Sequence, residues 1–396
     1  MHIIKVNLCK EILGLWTCKK IQATIKAKDA TRLFNKWFNR SENEYIVISN
    51  PENRDIFTVD ADNFSIIVPR FPGAAVVRRS IWEQLILPVL LKKHCADILF
   101  SPGGIAPLMV PDGCKRVNLT QNMAPFSREL LSSYPLNRRK MRFLILRKIY
   151  PFFATRADAN IFISADGLNN LQRIAKIDKG KSKVIYHGRN EIFKPVSAKT
   201  AADFVREHYG IDGGFILYVS NIARYKKQLE VVKAYSMIRK RGEWGRVPLI
   251  FAGIMVETDY YSEVLELAGK LGLSDEVKYL GQVPQVHLPY LYSAASVFVF
   301  ASISENCPNI LIEAMACGAP IASSNFGPMP EICGDAALYF DPDQPKDIAD
   351  SIWQILTDET VKQNLVRNAL ENVKRFSWEE TARKTLQAFL HLDSTK

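Results

Sequence analysis

Short apolar runs alternate with stretches of helical periodicity along most of this chain, and that alternation restricts the fold more than any other feature. In the first half, Tyr45 to Ser49, Ile98 to Phe100, Arg116 to Thr120 and Asn160 to Ser164 read as strands, with helical segments such as Ile81 to Cys95 and Ala165 to Ala175 between them. The second half repeats the rhythm: strands Phe215 to Val219, Val247 to Ala252, Val277 to Leu280 and Val297 to Phe300 are followed by helical Gln228 to Lys240, Tyr260 to Leu271, His287 to Ala294 and Ile310 to Cys317. Such alternation predicts parallel sheets covered on both faces. The chain has 396 residues, about twice a usual domain of roughly 100–200. Two doubly wound α/β domains are therefore expected, 1–195 and 196–376, connected through Lys183 to Pro195. The final segment, 377–396, reads as an amphipathic helix with no strand after it.

Charge is divided unevenly. Residues 1–200 hold 33 Lys+Arg and 16 Asp+Glu, a balance of +17, whereas residues 201–396 hold 19 and 25, a balance of −6. A basic half seeks anionic surfaces: nucleic acid, lipid headgroups or a phosphorylated acceptor. No nucleic-acid recognition module is present, so no nucleic-acid partner is expected. The run Asn137 to Phe153 mixes cations with large apolar residues at helical spacing. It reads either as a helix lying on an anionic membrane surface or as an ordinary helix packed on a sheet with its cations in water.

Met1 to Leu8 lacks the apolar core of a signal peptide, and no run approaches the roughly 20 apolar residues of a transmembrane helix. A cytoplasmic protein is expected, with peripheral attachment at the inner membrane face as the extension that the basic half allows. The seven cysteines are scattered and form no C-x-x-C pair, so free thiols are expected, with neither disulfide nor zinc.

Chemistry concentrates in Ser302 to Ile321. Pro308 stands where a helix begins, because its missing N–H is no loss in a first turn. The amides of Asn309, Ile310 and Leu311 are then expected to point free beyond the strand's carboxyl end, where a diphosphate fits. Glu305 in the loop and Glu313 in the helix flank the same crevice, and ionised carboxylates suit hydroxyl-rich ligands such as sugar and ribose. A second element, Tyr218 to Leu229, is a strand followed by a basic turn, whose cations can neutralise a leaving diphosphate.

The stretch from Glu305 to Glu313, with Ala314 to Pro320 and Pro330 to Pro342 beyond it, resembles the E-x7-E signature of family 4 glycosyltransferases, which have the GT-B fold. The resemblance covers roughly residues 75–390. It implies two Rossmann-like domains facing across a cleft, with the helix of 377–396 crossing back to pack on the first. It also implies a retaining, metal-independent hexosyltransferase that uses a UDP- or GDP-sugar, with a glycan or lipid-linked acceptor and no further cofactor; no D-x-D pair flanked by apolar strands suggests a metal.

In the family the first glutamate, here Glu305, contacts the transferred sugar, and the second, here Glu313, the ribose. Tyr218 to Leu229 resembles the Gly-Arg…Lys-Asn donor motif that holds the phosphates. Lys227 falls on the lysine position, with Gln228 at the usual asparagine. Asn221 stands at the arginine position, and Arg224 or Lys226 is left to supply the missing charge. Tyr279 to Val283 resembles the strand and loop that hold the nucleobase.

Two departures bear on the acceptor side. Gln121 and Asn122 stand where many members carry His-Asp, and Met1 to Arg40 offers only Gly14 where the family has a glycine-rich loop. A catalytically silent GT-B protein that binds a glycan or a partner is therefore the alternative reading.

Overall fold

A computed structural model describes residues 3–7, 43–48, 63–68, 76–134, 136–242 and 247–393. Apart from residues 3–7, the expectation about the first forty residues lies outside this set. Contacts divide the chain into two units. The first comprises 1–127, 135–188 and 377–396, and the second comprises 128–134 and 189–376. The division thus falls between Gly188 and Arg189 and between Phe376 and Ser377, and a short piece of the first half, 128–134, groups with the second unit.

The first unit is built on seven parallel strands: β1 (Ile3–Asn7), β2 (Glu44–Ile48), β3 (Phe64–Ile67), β4 (Ile98–Ser101), β5 (Lys115–Thr120), β6 (Ala159–Phe162) and β7 (Ser182–Val184). Their order is β3-β2-β1-β4-β5-β6-β7. Alternate residues serve opposite faces, as pleating requires. Val47 and Ile98 pack with Val117 and Ile161 on one face, while Ile48 and Leu99 join Trp82, Leu87 and Leu91 on the other.

The helical run expected from Ile81 to Cys95 is two helices, α1 (Val76–Leu85) and α2 (Leu87–Lys93). Pro88 causes the break: it lacks an N–H and sits in the first turn of α2, where none is needed. Further on come α3 (Arg128–Ser133), α4 (Arg138–Arg156) and α5 (Ala165–Gln172), of which α3 lies in the second unit.

The last helix, α14 (Trp378–Asp393), covers the first of these faces. Phe389 is buried in the cluster of Tyr45, Val47 and Ile161, with its ring centroid 5.2 Å from that of Phe100. Thr381 Oγ1 donates to the Tyr186 carbonyl at 2.7 Å, and the His187 and Trp378 rings lie 5.4 Å apart. Gly188 permits this crossing, since a Cβ there would sit 2.0 Å from the Trp378 nitrogen. His187 therefore has a packing role. Phe389→Ala is expected to destabilise the first unit by about 3–5 kcal/mol, the usual cost of emptying a buried aromatic site; urea unfolding followed by tryptophan fluorescence measures it.

The second unit holds six parallel strands: β8 (Ile216–Val219), β9 (Leu249–Ala252), β10 (Val277–Tyr279), β11 (Val297–Phe300), β12 (Ile321–Ser324) and β13 (Ala337–Phe340), in the order β10-β9-β8-β11-β12-β13. All four residues of β8, β9 and β11 are buried, the pattern of strands covered on both faces. The intervening helices are α6 (Ala198–Tyr209), α7 (Gln228–Ile238), α8 (Thr258–Lys270), α9 (Leu288–Ala294), α10 (Asn309–Ala316), α11 (Met329–Cys333), α12 (Pro345–Thr357) and α13 (Glu359–Asn372). Chain order reverses between β8 and β11. At such a reversal the connections leave in opposite directions and open a crevice beyond the carboxyl ends of the strands.

Candidate functional site

The loops leaving β8 and β11 meet in that crevice. The first runs from Ser220 to Lys227 and includes a short 3-10 turn, Arg224–Lys226; the second runs from Ala301 to Pro308. The Lys226 ammonium pairs with Glu305 Oε1, with the lysine side chain 5% and the glutamate 18% exposed. The ammonium also lies 5.0 Å from the ring centroids of both Tyr225 and Phe300, where the negative ring faces favour a cation. Burial is the largest single influence and lowers the Lys226 pKa, but the charge of Glu305, Tyr225 and the hydrogen bond to Glu305 together outweigh it and the net shift is upward. Lys226 is thus a fixed cation throughout the neutral range.

Tyr218 holds the two loops together. It is fully buried in β8, and its hydroxyl donates to the Lys226 carbonyl at 2.5 Å while accepting the Ala301 N–H at 3.2 Å. Ile303 N–H adds a 2.9 Å bond to the Tyr225 carbonyl. A tyrosine in an otherwise apolar buried strand signals a needed hydroxyl partner; that clue in Phe215 to Val219 marks a residue the sequence reading passed over. Gln228, also fully buried, donates to Ser220 Oγ at 3.1 Å and to the Asn221 carbonyl at 3.0 Å. Gly253 closes the floor of this loop: with φ at +144°, its missing Cβ leaves room for the Ser220 carbonyl.

Three of the expected site residues have partners of their own in the structure. Lys227 does not reach Glu305. Its backbone is left-handed, φ +56°, and its ammonium pairs with Asp343 Oδ1 at 2.5 Å. Asparagine tolerates that conformation best after glycine, and of the two adjacent lysines it is Lys226 that meets Glu305.

Arg224 is turned aside as well. Its guanidinium is held by both carboxylate oxygens of Glu263, one at 2.9 Å, and lies 5.1 Å from the Tyr260 ring centroid; its N–H donates to Glu257 Oε2 at 3.1 Å. Glu257 in turn accepts from the Tyr134 hydroxyl at 3.1 Å.

The third is Leu311. Pro308 is the N-cap of α10, and its carbonyl accepts the Leu311 N–H at 2.9 Å. That amide is engaged, because the first turn closes on the cap; Asn309 and Ile310 stand half-buried at the helix start.

Glu313 lies one turn along α10, half-buried, with the Tyr292 hydroxyl donating to it at 3.4 Å. Burial above all, and then the charge of Glu313, raises the pKa of Tyr292 and of the Cys317 thiol. The structure therefore brings Glu305 together with Lys226 and gives Glu313 a separate partner on α9. Asn221, at the end of β8, is half-exposed with its carbonyl anchored by Gln228. Val283 follows β10, the edge strand of the sheet, from which the Tyr279 hydroxyl donates to the Gly253 carbonyl at 2.8 Å. Among the described residues no group of three or more His, Cys, Asp or Glu side chains is arranged to hold a metal ion.

This arrangement has close parallels. The chain is 34% identical over 177 residues to O-antigen chain mannosyltransferase B of Escherichia coli, covering 44% of this chain and 45% of that protein. It is 28% identical over 239 residues to the serotype-specific mannosyltransferase WbdA of Escherichia coli, covering 60% of this chain and 29% of that protein. The chain thus spans less than half the length of either relative. Among solved structures, sucrose-phosphate synthase of Thermosynechococcus elongatus superimposes over the full length of both chains with a TM-score of 0.74 at 18% identity. Anabaena HepE, solved with UDP and glucose, gives 0.69 at 18% identity over 98% of each chain. At these identities the likeness is one of fold, and the fold is GT-B, with two Rossmann-like parallel-sheet domains. The family model for glycosyl transferases group 1 matches residues 202–372. That stretch carries Lys226, Glu305 and Glu313.

Proposed function

We propose that the chain is a retaining glycosyltransferase that moves a hexose, mannose in the first instance, from a UDP- or GDP-sugar to a glycan or lipid-linked acceptor in surface polysaccharide synthesis. The observation that carries this reading is the buried Lys226–Glu305 pair at the reversal of strand order. Breaking the donor's glycosidic bond leaves a nucleoside diphosphate whose added negative charge must be neutralised, and a preorganised cation in a dry site does so without reorganising. Lys226 takes that role, so the reaction needs no metal in this reading. Glu305, held beside it, accepts hydrogen bonds from the hydroxyls of the transferred sugar. Glu313 takes the ribose, the first turn of α10 adds dipolar attraction for phosphate through Asn309 and Ile310, and the backbone around Val283 holds the nucleobase.

Mannose rests on the names of the two Escherichia coli relatives. A nucleotide diphosphate rests on the geometry of the pair and on HepE, which was solved with UDP.

A thermal-shift comparison of UDP, GDP and ADP tests the site. A ligand at a hundred times its Kd adds about 2.7 kcal/mol to native stability. For a unit the size of the second this raises its midpoint by roughly 5–10 °C. If none of the three moves the midpoint, the site does not bind a nucleotide and the reading fails. Binding without transfer to any acceptor is the outcome that favours a silent GT-B protein.

A further inference from the structure

Helix α4 carries large apolar side chains on the face turned away from the core. Tyr150 and Ala154 point inward and pack with Phe126 and Phe162. On the opposite side Met141, Ile145 and Phe152, at i, i+4 and i+11, are 48%, 55% and 41% exposed, with Leu144 beside them; Leu136, just ahead of the N-cap Asn137, is 78% exposed. The exposed cations Arg138, Lys148 and Arg156 border the same face, and the Arg156 guanidinium lies 3.7 Å from the Phe152 ring centroid.

From Leu130 to Ala157 the sequence has seven Lys or Arg and no carboxylate. A helix face meant only for water tends to balance its charges, as the outer face of α14 does with Glu380 paired to both Arg383 and Lys384. We infer that α4, with Leu136, docks on an anionic lipid surface. Its apolar side chains enter the boundary between headgroups and acyl chains, and the bordering cations sit among the phosphates.

Charge complementarity selects the occupant. A second copy of the chain meeting this face through a two-fold axis brings the same cations against themselves. Among the described residues no helix is long and apolar enough to cross a membrane, so α4 lies on the surface. The inference is independent of the proposed transfer reaction, since it concerns a face of the first unit and the reaction loops belong to the second.

Co-sedimentation of the full chain with vesicles of phosphatidylcholine, with and without phosphatidylglycerol, tests it. Binding is expected only with phosphatidylglycerol and is weakened by salt. Lys148→Gln should weaken it about fivefold, the ~1 kcal/mol that a basic side chain contributes near an anionic surface. Ile145→Glu with Phe152→Glu should weaken it by at least about tenfold, with the thermal midpoint unchanged because both sites are exposed.

The inference is overturned by no binding to anionic vesicles at low salt, or by binding that the double substitution leaves intact. A concentration-dependent dimer that the double substitution dissolves, without vesicle binding, overturns it as well. Nucleotide thermal shifts measured on the same samples keep this result separate from the donor site.

Discussion

Lys226→Ala is expected to lower transfer from the nucleotide-sugar by about 10²–10³-fold, the usual cost of removing one preorganised charge-stabilising group. Lys227→Ala should leave the rate within about twofold, since it removes only a pair with the half-exposed Asp343. The adjacent lysines thus make a sharp comparison. Because Lys226 and Glu305 are both largely buried, removing either leaves the other charge uncompensated, and a loss of roughly 3–5 kcal/mol in stability accompanies the loss of rate. Lys226→Met combined with Glu305→Gln should recover most of that stability and none of the activity, and the double-mutant cycle separates the two effects. Steady-state rates and urea unfolding on the unsubstituted chain, Lys226→Met, Glu305→Gln and the double variant provide the measurement, with Lys226→Ala and Lys227→Ala assayed beside them. A folded Lys226→Ala protein with full turnover removes Lys226 from the reaction.

Gly253→Ala is expected to cost about 2–5 kcal/mol and to abolish nucleotide binding. At φ +144° an alanine is strained by about 1–3 kcal/mol. Its Cβ would also stand 1.9 Å from the Ser220 carbonyl oxygen and 2.6 Å from its carbon, an overpacking of similar cost. Relief requires Ser220 and Asn221 to move. They carry the hydrogen bonds of Gln228 at the start of α7, so the loop that presents Lys226 moves with them. Gly210→Ala is the control: φ is +62° and nothing lies within 4 Å of the added Cβ, so about 1–2 kcal/mol of stability should be lost with binding unchanged. Calorimetric titration with UDP and GDP, alongside urea unfolding, checks both. Unchanged stability and binding in Gly253→Ala would mean that the close approach to Ser220 places no constraint on the loop.

Much of the fold was legible because parallel sheets leave a strong local signal. Runs such as Phe215 to Val219 and Val297 to Phe300 are continuously apolar, since strands covered on both faces exclude water from every side chain. The strand-helix rhythm therefore gave the element types, and Pro308 correctly marked a helix start, though as cap rather than first residue. Boundaries shifted where proline intervened, as at Pro88 between α1 and α2.

The site was legible only in outline. Glu305, Glu313 and the basic turn were visible as residue types at a strand's carboxyl end, which follows from sheet topology. Which lysine meets Glu305 was not, because the two are adjacent cations and the motif resemblance pointed to Lys227. The left-handed backbone at Lys227 sends one ammonium to Asp343. The other turns inward to Glu305, 79 residues away in sequence. Likewise the sequence offered Arg224 as a phosphate ligand, but Glu263 and Tyr260 hold it on α8, and it offered Leu311's amide as free, but Pro308 closes on it. Composition and periodicity determined that two doubly wound domains form and where the carboxyl ends of their strands lie, since both depend on local burial. The choice of charged groups depended on partners brought together only by folding, because a buried charge persists where the tertiary structure supplies its counter-charge.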